Sequence, residues 1–178
     1  MAIADIRDRL QPALLDRLIV KSEAERVKDP DANDDRRVMT KAQLRAAVLR
    51  DLGWLFNATQ PLGREADGNP LLAGSVLNFG LPALSGHLAS QVDIGTVVRS
   101  IHDAIVRFEP RILPETLEVR ALEATSLLDT HNVIEFEIRG QLWSEPVPLE
   151  ILLRTQLDLE AGQVQVRDTT GAAPARTR

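Results

Sequence analysis

The chain has 178 residues, 44% hydrophobic and 26% charged, with a net charge of −5 and no cysteine. That length holds one domain with a real core and a few peripheral segments, and without cysteine there are no disulfides, thiolate metal sites or cysteine nucleophiles. With basic residues spread along the chain, nothing argues for nucleic acid or anionic membrane as a partner, and no run approaches the roughly 18 apolar residues of a membrane span or forms a signal core, which points to a cytoplasmic protein without direct membrane insertion.

Residues 5–20 place Ile6, Leu10, Leu14, Leu15, Leu18 and Ile19 at helical spacing. Residues 1–20 are therefore expected to be a helical arm. So short a helix is marginal alone and docks either on its own domain or on a partner. Over 21–37, eleven of seventeen residues are charged, too many to offset ordering entropy by burial, so a flexible linker is expected. Its Asp31, Asp34 and Asp35 lack the glycine and the terminal glutamate of a calcium loop. The main domain is expected over 38–168. Thr40 with Gln43 reads as a capping box opening a helix to about Asn57. Leu44, Ala47, Val48, Asp51, Leu52 and Leu55 lie along one side of it, with Trp54 and Phe56 near its end. A polar loop follows to Pro70. Gly80 and Pro82 flank Leu81, which predicts a sharp turn presenting Asn78 and Phe79. That turn is either a rigid bend with Phe79 in the core or a contact loop on the surface.

Asp93 caps a central helix in which Ile94, Val97, Val98, Ile101, Ile105 and Phe108 fall within roughly a 100° arc. Pro110 disfavours the α conformation at Glu109, so the helix ends at about Phe108. Period-two alternation then marks strands at 116–124, 133–143, 149–159 and 162–167, the last two joined across Glu160-Ala161-Gly162. Turns are expected at 129–132 and 144–148. Helices followed by strands indicate an α+β fold, with N-terminal helices and a central helix on one face of a small antiparallel sheet of about four strands. Residues 169–178 form a polar tail expected to be disordered.

Chemistry is sparse. His87, His102 and His131 have no metal-ligand spacing, and there is no P-loop, GxGxxG or GxSxG motif. No metal, cofactor or catalytic residue is expected. His102 lies seven residues before Glu109, where it either borders the core or forms an acid–base pair with it. As a glycosidase acid, Glu109 needs a raised pKa and a second carboxylate, whereas Arg111 two residues on favours the ionised form. An Arg–carboxylate pair organising a surface is the stronger reading.

SVLNFGLP (75–82), FEPR (108–111), LLDRL (14–18), LRAAVLRDLGWLFN (44–57) and the later strands together resemble the TssE family of type VI secretion baseplate subunits. That family is similar in turn to phage baseplate wedge proteins once labelled lysozyme-like, and the similarity runs over roughly residues 10–168. Phe79 stands where the family often has tyrosine. The resemblance implies a structural role in a contractile injection machine, at the cytoplasmic face of its membrane anchor. It implies TssF/TssG-like wedge subunits and a TssB/TssC-like sheath as partners. The expected partner-binding residues are Glu109, Pro110 and Arg111 with Asn78, Phe79 and Gly80, while strands at 149–167 would template the sheath by edge pairing. The competing expectation is a peptidoglycan glycosidase using Glu109.

Overall fold

The computed structural model describes residues 15–16, 40–62, 68–83, 93–122, 133–144 and 147–170. The expected arm (apart from Leu15 and Asp16), the linker, His87, the 129–132 turn with His131, and the tail beyond Thr170 lie outside them. Helix α1 is Lys41–Asn57. Its start follows from the capping box: Gln43 N donates to Thr40 Oγ1 at 3.2 Å and Thr40 N to Gln43 Oε1 at 2.9 Å. The short α2, Pro70–Ala73, is capped by Asn69, and a single 3-10 turn, Val76–Asn78, follows.

Helix α3 spans Ile94–Phe108. Asp93 caps it by accepting from Gly95 N at 3.1 Å, and the Thr96 hydroxyl donates to the other carboxylate oxygen. That hydroxyl, foremost, holds the Asp93 carboxyl below its ordinary value. At the far end Glu109 leaves the helix (ψ 77°) ahead of Pro110, as the proline requires. Val97, Ile101, Ala104 and Ile105 are buried. Ile94, at the first turn, is 45% exposed.

Four strands follow: β1 Glu118–Leu122, β2 Val133–Leu142, β3 Leu149–Asp158 and β4 Gln163–Asp168. They pair antiparallel in chain order, a meander. The first strand starts two residues later than alternation predicts because Pro114–Thr116 closes a 3-10 turn. Along β2 and β3 the burial alternates, placing Ile134, Phe136, Ile138, Leu142, Ile151, Leu153 and Leu157 on the inner face. The helices supply Leu44, Val48, Leu52, Leu55, Ile101 and Ile105 to the same core. This is an α+β layer of helices on one face of a four-stranded sheet. Asp158 Oδ1 accepts from Glu160 N (2.8 Å) and Ala161 N (3.0 Å), and Gly162 takes φ 65°, which closes the β3–β4 hairpin. Thr169 and Thr170, at the start of the expected tail, bond to Leu152 of β3.

The topology corrects one expectation. Within 149–167, β3 is paired on both sides, so only β4 lies at an edge.

Gly80 is where the chain between α2 and α3 is locked to the end of α1. Its φ is 127°, and a Cβ there would lie 2.4 Å from the Ala58 carbonyl oxygen, which accepts from Leu81 N at 2.9 Å. Gly80→Ala must therefore distort this bridge as well as adopt a strained φ. Urea unfolding is expected to show a loss on the order of 2–3 kcal/mol.

Candidate functional site

The end of α3 places an acid and a base so that they fold back on each other. Glu109 Oε1 accepts from Arg111 N (3.2 Å) and Nε (2.7 Å), and its Oε2 accepts from Arg111 Nη2 at 2.5 Å. The same Nη2 donates to Asp51 Oδ2 on α1, also at 2.5 Å. Asp51 Oδ1 in turn accepts from Arg50 Nε at 2.9 Å, and Arg50 Nη1 donates to Asp16 Oδ1 at 2.7 Å. Five groups of alternating sign thus run Glu109, Arg111, Asp51, Arg50, Asp16. Glu109 is 3% exposed, and a carboxylate so buried persists only when paired and hydrogen-bonded. Burial alone works against the Arg111 charge, but Glu109 and then Asp51 outweigh it and raise its pKa. Arg50 follows the same pattern with Asp16 and Asp51.

The backbone of this turn is fixed as well. Trp143 N donates to Arg111 O at 2.7 Å, and Ile112 bridges Leu142. One residue therefore joins the end of α3, the middle of α1 and the end of β2.

Beside this clamp lies a groove of about 520 Å³, walled by Trp54, Leu55, Phe79, Phe108 and Pro110, with Leu15 at its lining. Trp54 is 53% exposed, under the Arg50 guanidinium at 5.2 Å from the ring centroid. Phe79 meets Phe108 edge-on, ring centroids 5.3 Å apart. The two expected clusters therefore meet at one groove, through Phe79 on one side and Pro110 and Arg111 on the other. Asn78 and Gly80 are buried behind Phe79, Asn78 Nδ2 donating to Ala73 O at 3.4 Å. His102 pairs with its neighbour Asp103 at 3.2 Å.

Sequence reasoning missed Asp51, Arg50 and Trp54 as members of the site. The available signal was a charged residue, Asp51, within the apolar side of α1.

The geometry bears on hydrolysis. Glycosidases hold two carboxyl groups roughly 5–10 Å apart with the scissile bond between them. Here the second carboxylate is Asp51, and the Arg111 guanidinium fills the gap, bonded to both.

The site is thus a salt-bridged junction under an apolar, aromatic-walled groove. Residues 42–147 match the family model of baseplate wedge protein gp25, more than half of the chain, and the chain belongs to that family. TssE is the type VI homologue of gp25. The family is a structural component of phage tail-like contractile baseplates. No curated protein and no solved structure matches the chain. The match ends before β3 and β4, and among the described residues no helix is long and apolar enough to cross a membrane.

Removing Arg111 strands Glu109 in the core. Arg111→Ala is expected to cost about 3–5 kcal/mol in urea unfolding, with Arg111→Lys recovering only part because an ammonium cannot serve two carboxylates in a fixed fork. A double-mutant cycle of Asp51→Ala with Arg111→Ala should return a coupling of about 1–3 kcal/mol. A coupling near zero would mean that α1 is not held by this pair.

Proposed function

We propose that this chain is the TssE-type baseplate component of a type VI secretion machine. In this reading it binds TssF/TssG-like wedge subunits through the groove and seeds a TssB/TssC-like sheath by strand pairing at a sheet edge. It works at the cytoplasmic face of the membrane-anchored apparatus and is not an enzyme. The observation that carries the reading is the clamp itself: Arg111 is spent on holding Glu109 and Asp51 in place beneath an apolar groove. Such a site offers preorganised shape rather than reactive groups. Rigid aromatic walls give contact area at low entropic cost, and half-exposed Trp54 has the character of an interface anchor.

Each site residue then has a distinct task. Pro110 and Phe79 present the contact surface. Asn78 and Gly80 act through Phe79, which they hold from behind. Glu109 acts through Arg111. Arg111 Nη1 is buried and has no partner among the described residues, so this guanidinium holds the site from beneath and does not itself present a contact. Leu71, Val76 and Leu77, exposed at 85, 83 and 67% on the chain leading into Phe79, would extend the contact area. The glycosidase alternative has no comparable support, since both candidate carboxylates share one guanidinium.

The test is co-purification with TssF/TssG-like subunits, each variant paired with a thermal melt. Trp54→Ala is expected to weaken binding at least tenfold, as an interface anchor should, with Tm almost unchanged because the ring is half in solvent. Arg111→Ala is expected to lose binding and Tm together, the signature of a clamp that shapes the site. Wild-type protein that binds no wedge subunit but degrades peptidoglycan, with degradation abolished by Glu109→Gln, would overturn the reading.

A further inference from the structure

The outer edge of β4 is not open along its length. Asn57, the last residue of α1, turns its carboxamide onto Val164: Nδ2 donates to Val164 O at 2.9 Å, and Val164 N donates to Oδ1 at 3.0 Å. The second Nδ2 proton goes to Gly53 O at 2.7 Å. All of the amide's hydrogen-bonding hydrogens are used. The opposite orientation would set NH₂ against the Val164 N–H, so the three bonds define which way the group points. An amide that accepts from one residue's N–H and donates to its C=O does what a residue of a neighbouring strand does. Asn57 occupies the place of one residue of a fifth strand.

The edge it covers is suited to a second copy of itself. Because Val164 faces away from β3, strand alternation puts the backbone groups of Val166 and Asp168 on the same edge. Two β4 strands meeting antiparallel about Val166 would set Gln165 opposite Arg167 and Val164 opposite Asp168, with no like charges facing. The hydrogen-bonded pairs of that ladder would be Val166 with Val166 and, on each side, Val164 with Asp168. Asn57 removes both flanking pairs and leaves only the central one. Edge strands with free backbone groups are templates for association, and folded proteins cover them.

We infer that Asn57 is a guard on the β4 edge, closing it to β4 of a second copy through the Val164 backbone; a sheath strand pairing at this edge has to displace the same carboxamide. The experiment uses the full chain and sedimentation with rising concentration, with circular dichroism to confirm folding. Wild type is expected to stay monomeric. Asn57→Asp keeps the shape and loses both donors, and Asn57→Ala loses the whole group; both are expected to double in mass with concentration. Adding Val166→Pro to Asn57→Asp removes an edge N–H that bonds to no ladder partner and should restore the monomer. Folded variants that stay monomeric throughout would overturn the inference, as would a wild-type dimer that Val166→Pro dissociates. Should the variants fail to fold, hydrogen exchange of the wild type decides: the Val164 amide is expected to exchange at least roughly tenfold more slowly than the Val166 amide. Equal rates would rule the guard out.

Discussion

The structure depends on one guanidinium. Arg111 neutralises a carboxylate that the end of α3 has carried into the core, and with its remaining reach it takes hold of α1. Its own carbonyl is meanwhile tied to the backbone beyond β2. Helix, helix and sheet therefore meet at a residue whose charge cannot be removed without leaving another buried charge alone. The arrangement is a weak source of stability and a strong source of definition, since the Coulombic gain is largely offset by desolvation while the geometry tolerates few alternatives. Proline between the two charged residues contributes by ending the helix, so that the chain reverses and the acid and base can face each other.

That constraint explains why the groove sits where it does. Trp54 and Leu55 are one turn along α1 from Asp51, and Phe108 immediately precedes Glu109. Pinning Asp51 to Glu109 through Arg111 therefore brings the aromatic ends of both helices together, and Phe79 completes the wall against Phe108. The family's role in baseplates and the site's physical character agree at this point. A subunit built into a large machine gains from surfaces that do not rearrange on assembly, because ordering side chains at an interface lowers affinity.

Much of this was legible in the chain, and the limit has a physical cause. Local signals located the elements well: the Thr40–Gln43 box, the Asp93 cap and Pro110 bounded both long helices, and alternation found all four strands in their order. Glu109 and Arg111 were recognisable as a pair because only Pro110 separates them. Asp51 was visible only as a charge in an apolar stripe, since its partner lies sixty positions away. Periodicity describes which face of an element is buried and says nothing about which distant side chain awaits there. The same limit hid the exposure of Trp54 and the pairing status of β3, both consequences of neighbours that no local pattern encodes.

The order of contacts along the chain also shapes how the molecule is made. Every strand pairs with its neighbour in sequence, so the sheet is a low-contact-order unit that forms without long loop closure. Helix α1 is the opposite case: Asn57 and Val164 are 107 residues apart, and Arg45 reaches Glu150 across 105. Synthesis delivers α1 first and its resting place last. At about 5–20 residues per second the ribosome needs roughly 5–20 s to span that interval. For that time the apolar stripe of α1 has no sheet to cover it, which leaves this helix open to a chaperone.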